Sequence, residues 1–269
     1  MKLSSRVALC VLATIALVGV FADVLASPQP LMARTADGFF LLPAVTAPGH
    51  VFTAAEGWAV WAPLRGASEL VYGARTLVLA SVLSLTLSLA IGVPLGAVTG
   101  TRGGLFDALL SRSVELSGAL PTLVVLILAR SFASLSALSA FVLVVGTVRG
   151  LELARLVRGE VLRVQGQDFM VAARALGAGS LAQLRRHVLP HALGPVLVSG
   201  ALTAAYVVGL EAALSFVGLG LGPELPSWGA LLGRHFALAP AAAISITTLS
   251  LFMVADGLDD ALSARRGRP

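Results

Sequence analysis

Six long apolar stretches constrain this chain more than any other feature of its sequence. Most of them approach the roughly 20 residues that an α-helix needs to cross the hydrocarbon core of a membrane. Hydrophobic residues make up 57% of the chain and charged residues only 12%, about half the charged fraction of soluble proteins. The sequence therefore predicts an all-α, polytopic membrane protein with about six transmembrane helices.

Polar segments between the apolar stretches divide the chain into four parts. Residues 1–26 hold the first transmembrane helix, and residues 27–72 form an external segment that is too polar to span. Residues 73–264 form the main core of about five helices, with a polar loop at 149–191, and residues 265–269 are a tail. The predicted spans are residues 7–25, 76–99, 113–131, 135–148, 192–217 and 237–254.

The first apolar stretch has two interpretations. A basic start and a small-residue end resemble a signal peptide, but the stretch is long for one. We therefore predict a retained first helix. In the external segment, Trp58 and Trp61 are expected at the membrane interface.

A stripe of glycines in the second span predicts close helix packing. Gly92, Gly96, Gly100 and Gly104 recur at every fourth residue, with Pro94 among them. Small residues at this spacing allow the backbones of two helices to approach closely. We predict a packing role for the stripe.

Residues 167–191 form a basic, amphipathic segment between very apolar ones. A glycine-containing turn, Gly177-Ala178-Gly179, interrupts this segment. After the turn, Ser180 and Gln183 have the spacing of a helix-capping box. Pro190 is expected to end the second helix. The segment therefore predicts a helical hairpin outside the bilayer, with apolar residues on one face: Phe169, Ala172, Ala173 and Leu176 before the turn, and Leu181, Leu184 and Val188 after it.

The distribution of basic residues orients the predicted spans. With the N-terminus inside, the internal side holds most of the basic residues, which favours a topology with both termini cytoplasmic. The hairpin is then in the longest cytoplasmic loop. The internal residues are Lys2, Arg6, Arg102, Arg112, Arg149, Arg155, Arg158, Arg163, Arg174, Arg185, Arg186, Arg265, Arg266 and Arg268, and the external ones are Arg34, Arg65, Arg75, Arg130 and Arg234.

Common catalytic motifs are absent from the sequence. Lys2 is the only lysine, so the chain has no P-loop lysine with which to bind ATP phosphates. Cys10 is the only cysteine, which excludes a disulfide within the chain. His187 and His191 lack the glutamate of a zinc-protease helix. We expect no catalytic residue, no metal site, and no binding of nucleic acid.

Two glutamates lie in or near predicted spans. Glu115 is close to the cytoplasmic end of the third span, and Glu211 lies deeper, in the fifth. An ionisable side chain in hydrocarbon is costly and therefore suggests a function. Glu211 could line a translocation path or could pair with a polar group on another helix.

The hairpin and three other stretches carry a family resemblance. Residues 172–191 resemble the cytoplasmic loop of permeases of ABC importers, although Val171 replaces the usual glutamate. Residues 72–76 resemble the entry to the permease core. The stretches at residues 210–233 and 256–262 resemble the dipeptide, oligopeptide and nickel branch, and within it the second of two paired permeases.

This resemblance implies an ATP-driven, binding-protein-dependent importer in the bacterial inner membrane, with peptides as the expected substrate. The expected partners are a second permease, two cytoplasmic ATPase subunits that bind ATP and magnesium, an external solute-binding protein, and membrane lipid. The chain itself would be a non-catalytic subunit whose hairpin contacts an ATPase. The residues implied in this coupling are Asp168, Ala172, Ala173, Leu176, Gly177, Leu181, Leu184, His187 and Pro190.

Three alternatives remain at the level of sequence. Nickel or another small solute could replace peptides within the same architecture. An ion-coupled secondary transporter could use Glu115 and Glu211 for protons, but would not need the hairpin. A membrane enzyme is poorly supported because no catalytic motif is present.

Overall fold

The computed structural model describes residues 3–27, 31–35, 38–41, 58–60, 64, 67–133, 135–177, 179–222, 224–235 and 238–266. In these ranges the chain consists of helices and one small sheet, which confirms the predicted all-α membrane fold. The helices are α1 Leu3–Val20, α2 Ala22–Leu25, α3 Ser68–Arg102, α4 Gly104–Ala119, α5 Thr122–Ala133, α6 Ala137–Gln165, α7 Asp168–Ala175, α8 Ser180–Gln183, α9 Leu189–Phe216, α10 Trp228–His235 and α11 Leu238–Arg266.

Long apolar helices dominate the described part of the chain. Four of them, within α3, α6, α9 and α11, are long and apolar enough to cross a membrane. A fifth span is obtained if the bent pair α4 and α5 is counted as one. The apolar helix over Ser4–Val20 is shorter than these and is followed by the single turn of α2.

The third predicted span differs from the prediction. Instead of one helix over residues 113–131, α4 and α5 meet at an angle of 93°. The break falls at Leu120, which is extended, immediately before Pro121. Proline disfavours the helical conformation in the residue before it, which explains why the helix stops here. Residues 104–112, predicted as a loop, belong to α4.

The fourth predicted span continues much further than expected. The Ser136 hydroxyl accepts a hydrogen bond from the Ser139 N–H and caps the start of α6. From there α6 continues without a break to Gln165, through the predicted start of the polar loop at residue 149. Two other differences are smaller. Helix α10 lies in the segment predicted as a glycine-rich loop, and Arg265 and Arg266 belong to α11 rather than to a tail.

The chain divides into two compact units. The first comprises residues 1–9, 80–210 and 248–269, and the second comprises residues 10–79 and 211–247. The hairpin lies in the first unit, and Glu211 lies in the second.

In the first unit, the glycine stripe of α3 packs against α6. A Cβ atom added at Gly96 would lie 2.4 Å from the Ala154 carbonyl oxygen, and one at Gly92 would lie 2.8 Å from that of Gly150. Gly100 faces Val161 in the same way, at 2.7 Å. The packing role predicted for these three glycines is confirmed. Gly104 lies outside this contact, because nothing is within 4 Å of its added Cβ.

In the second unit, the first helices pack against the start of α3. A Cβ at Gly19 would lie 3.0 Å from the Arg75 Cα. Asp23 accepts a hydrogen bond from the Tyr72 hydroxyl at 2.8 Å and forms an ion pair with Arg75 at 3.0 Å. The Trp228 indole N–H donates to the Leu70 carbonyl at 2.7 Å. These contacts hold α1, α2 and α10 against α3.

A three-stranded antiparallel sheet lies in the segment predicted to be irregular. Its strands are β1 Met32–Thr35, β2 Gly38–Leu41 and β3 Trp58–Val60, in the order β2-β1-β3. Met32 of the central strand pairs with Leu41 on one side and Val60 on the other. The strands are three or four residues long and therefore too short to show a clear alternation in the sequence. Trp61 lies outside the described residues.

Candidate functional site

The predicted hairpin is present and connects α6 to α9. After α6, the chain forms α7 over Asp168–Ala175, turns at Leu176 and Gly177, and forms α8 over Ser180–Gln183. One π-helical turn, Leu184–Val188, then leads directly into α9. The hairpin is therefore continuous with two long apolar helices, so that a displacement of its tip can be transmitted to both.

The prediction that Pro190 ends the second helix is wrong. Pro190 lies in the first turn of α9, and the chain remains helical through Phe216. The Leu189 N–H donates to the Leu184 carbonyl, five residues earlier. Proline normally clashes with the carbonyl four residues before it. The wider π-helical turn changes this spacing and accommodates the ring.

Buried apolar side chains anchor the hairpin to α6. Met170 of α7 and Val188 of the π-helical turn are buried and pack with a row on α6: Leu153, Val157, Val161 and Val164. Leu184 is half-buried and packs against the same cluster. Met170 is not among the residues that the sequence predicts for this hairpin. Valines at positions 157, 161 and 164 recur at helical spacing and could have indicated this buried face.

The opposite face of the hairpin is apolar and exposed. Leu176 at the tip is 89% exposed, and Phe169 and Ala172, on the same side of α7, are also exposed. The Phe169 ring stacks on the His191 ring, with their centroids 5.7 Å apart. Exposed apolar side chains grouped in this way are typical of a surface that contacts another protein.

The remaining predicted coupling residues lie around this face. Asp168 is exposed in the first turn of α7, where a carboxylate is favoured by the helix dipole. Ala173 is half-buried, and Pro190 is exposed. Leu181 and His187 lie in helical backbone, but their side chains are outside the described residues, as is the Ser180 hydroxyl of the predicted capping box.

The turn between α7 and α8 depends on Gly177. Its φ angle is +80°, in the left-handed region that glycine tolerates and other residues rarely adopt. It stands two residues after the end of α7, where such a residue commonly closes a helix. The Gly179 carbonyl accepts a hydrogen bond from the Gln183 N–H and begins the next helix. The turn was predicted correctly from its glycines.

The anchor can be tested separately from the exposed face. Met170→Ala is expected to destabilise the hairpin by about 2–4 kcal/mol, because it removes a fully buried side chain and leaves a cavity. Hydrogen exchange across residues 167–190 would measure this as faster exchange. Val171→Ala, at the adjacent exposed position, is the control and should change exchange little. Unchanged exchange in Met170→Ala would contradict the proposed anchor.

Glu211 is the second candidate and lies in α9, in the other unit. It is 1% exposed, and the Ser215 hydroxyl, one turn later, donates to its Oε1 at 2.7 Å. This contact lies within α9 and not on another helix, and among the described residues Oε2 has no hydrogen-bond partner. A role for Glu211 in the translocation path stays a prediction.

A cavity of about 560 Å³ lies near Glu211 in the same unit. Ser215 and Ser227 line it, together with Glu69, Glu224 and Arg234. Glu211 is not among the lining residues, but Ser215, which donates to it, is. Within the described ranges, no group of three or more histidine, cysteine, aspartate or glutamate side chains is arranged to hold a metal ion.

The sequence matches a known family and several characterised relatives. The profile of the binding-protein-dependent transport system inner membrane component matches residues 92–268. The chain is 34% identical to the oligopeptide transport system permease protein OppC of Bacillus subtilis, covering 72% of this chain and 66% of that protein. It is 31% identical to the dipeptide permease DppC of the same organism, covering 73% of this chain and 64% of DppC.

A third relative and two solved structures extend the comparison. The glutathione transport system permease protein GsiD of Pectobacterium atrosepticum is 30% identical, covering 74% of this chain and 68% of GsiD. An inward-facing MetNI methionine ABC transporter has a TM-score of 0.57 at 21% identity, covering 74% of this chain and 96% of that one. An amino acid ABC transporter has a TM-score of 0.53 at 19% identity, covering 76% and 96%. At these identities the two structures support the fold alone.

Proposed function

Because the chain belongs to the family of inner membrane components of binding-protein-dependent transport systems, we propose that it is a permease subunit of an ATP-driven importer of di- or oligopeptides. The observation that carries this proposal is the hairpin, with its buried anchor and its exposed apolar face. The named relatives transport oligopeptides, dipeptides and glutathione, all of them peptides. They support peptides over nickel as the substrate.

The family implies that the chain works with other subunits and is not itself an enzyme. We propose one second permease, two cytoplasmic ATPases and one external binding protein as its partners. ATP and magnesium would be bound by the ATPases, since Lys2 is the only lysine of this chain and cannot complete a P-loop. The excess of basic residues on one side of the predicted spans supports a topology with both termini in the cytoplasm.

The exposed face of the hairpin is the proposed contact with an ATPase. Leu176 and Phe169 would enter a groove of that subunit, and Gly177 would keep the turn tight enough to fit. Closure of the ATPase pair would then displace the hairpin. Since Met170 and Val188 hold it to α6 and the π-helical turn joins it to α9, both long helices would shift with it. ATP binding would in this way favour one of two conformations of the permease.

Introducing a negative charge at the hairpin tip tests the proposed contact with the ATPase. Leu176→Asp is expected to reduce co-purification with the ATPase, and ATP-dependent dipeptide uptake by liposomes holding the complete importer, by about tenfold or more. An aspartate in an apolar groove would be desolvated without a partner. Because Leu176 is 89% exposed, the fold should not change.

Leu105→Asp is the matched control for this experiment. Leu105 is 74% exposed at the start of α4, on the side predicted to be cytoplasmic, and should tolerate the change. Equal ATPase association in the two variants would contradict docking at the hairpin. ATP-dependent uptake of nickel, without uptake of peptides, by the wild-type importer would contradict the proposed substrate.

A further inference from the structure

A polar cluster lies halfway along the helices of the first unit. Arg149 and Glu152 belong to α6, Thr203 and Tyr206 to α9, and Thr122 to the start of α5. The sequence predicts Arg149 at the edge of a cytoplasmic loop. In the structure it lies inside a continuous helix.

The five side chains are joined by specific contacts. The Arg149 Nη1 group forms an ion pair with Glu152, and its Nε–H donates to the Thr203 hydroxyl at 3.4 Å. The guanidinium carbon lies 5.1 Å from the centroid of the Tyr206 ring, within the range of a cation–π contact. The Tyr206 hydroxyl donates to the Thr122 hydroxyl at 3.3 Å. Three helices therefore contribute to one site.

The position along each helix places this site near the membrane midplane. Arg149 is twelve residues after Ala137, the first residue of α6, which is about 18 Å along the axis. Tyr206 is ten residues before Phe216, the last residue of α9, which is about 15 Å. Both distances are close to half of a hydrocarbon core of roughly 30 Å.

A charged cluster at this depth does not face lipid without a large cost in free energy. Ionisable residues inside membranes face a water-filled cavity or a protein partner, and commonly mark the path of a substrate. The cluster nevertheless reaches the surface of the chain. The Glu152 side chain is 40% exposed, that of Arg149 20%, and Tyr206 36%. The exposed side therefore faces either the transport path or the second permease.

We propose that Arg149 and Tyr206 form a substrate-contact site in the transport path, and that Arg149 binds the C-terminal carboxylate of a peptide. This inference rests on the proposed function, because it takes peptides as the substrate. It adds a binding site that is separate from the hairpin and from Glu211. The carboxylate is the anionic group shared by unmodified peptides of any length.

The geometry of the guanidinium supports a carboxylate as the ligand. Arginine presents five N–H donors in a planar fork that matches a carboxylate edge to edge. Within the described part of the chain, Nε and Nη1 have partners and Nη2 makes no hydrogen bond. Stacking on Tyr206 and pairing with Glu152 hold the guanidinium in place. Its remaining donors can therefore meet a substrate without reorganisation of the site.

Two matched peptides test the site. We would measure equilibrium binding of trialanine and of trialanine amide to the full importer in nanodiscs, without the binding protein, so that its own preference does not enter. The wild type is expected to bind the free acid about tenfold or more tightly than the amide, the usual scale for a hydrogen bond to a charged group. Arg149→Gln is expected to abolish this preference.

Control variants show whether Arg149 contacts the substrate or only packs between helices. Arg155→Gln removes an exposed arginine from the same helix and should keep the preference. If Arg149→Gln does not assemble, Arg149→Lys is tested instead, and a smaller preference is expected because the planar fork is lost. Equal binding of both peptides by the wild type, no binding by the wild type, or an unchanged preference in the tested Arg149 variant would overturn the proposal.

An uptake assay with the same importer separates a failure of the Arg149 site from a failure of the proposed function. ATP-dependent uptake of trialanine, with the binding protein added, tests whether the protein imports peptides. Uptake by the wild type with no carboxylate preference in binding would overturn the Arg149 site alone. Absence of uptake would count against the proposed function.

Discussion

Gly96→Val is expected to abolish accumulation of the folded chain. A Cβ at this position would lie 2.4 Å from the Ala154 carbonyl oxygen and 2.7 Å from the Val157 Cβ. The carbonyl belongs to the backbone of α6 and cannot rotate away, so α3 and α6 must separate. Overpacking of this severity should cost more than about 3 kcal/mol. Thermal unfolding of the detergent-solubilised protein and the yield of monodisperse material would measure the loss.

Gly159→Val is the control for this prediction. Gly159 lies on α6 itself, but nothing is within 4 Å of its added Cβ, and the position is exposed. A side chain there should leave stability unchanged or raise it slightly, because glycine is a poor helix former. A Gly96→Val protein with the thermal stability of the wild type would contradict the close approach of the two helices.

Gly177→Pro is expected to reduce ATP-dependent uptake by at least about tenfold while the chain stays folded in the membrane. Proline requires φ near −65° and cannot adopt the +80° of the native turn. It also drives Leu176 before it away from the helical conformation. The tip that we propose as the ATPase contact would therefore be displaced. Nothing lies within 4 Å of a Cβ at this position, so the damage should remain local.

Gly179→Ala is the companion variant. Gly179 is exposed, has no neighbour within 4 Å of an added Cβ, and does not require the left-handed conformation. Its uptake and ATPase association should match the wild type. Membrane insertion and thermal stability should be the same in all three proteins. Normal uptake by Gly177→Pro would show that the turn does not transmit ATPase motion.

Much of the helical hairpin could be predicted because its signals are local. Gly177 and Gly179 predicted its turn, and the charged residues between apolar runs predict that it lies outside the bilayer. The glycines of α3 predicted close packing because their four-residue spacing defines one face of a helix. Signals of this kind are contained in a short window of sequence.

The errors concern residues whose effect depends on distant or preceding structure. Two prolines have different effects on their helices. The chain bends by 93° immediately before Pro121, but α9 continues through Pro190. Proline permits both outcomes, and the π-helical turn before Pro190 is not visible in a local pattern. The short strands between α2 and α3 were missed because three or four residues give too little periodicity.

The sequence alone was sufficient to predict the class of protein and the presence of the hairpin, and it also shows that a P-loop motif is absent. These follow from the hydrophobicity of long segments, from turn residues and from the number of lysines, none of which depends on how the helices pack. Only the tertiary structure showed which side of the hairpin is anchored, through Met170 and Val188, and which is exposed. It also placed Arg149 beside Tyr206 at mid-helix. These features required packing because residues far apart in the chain meet only after the helices have assembled.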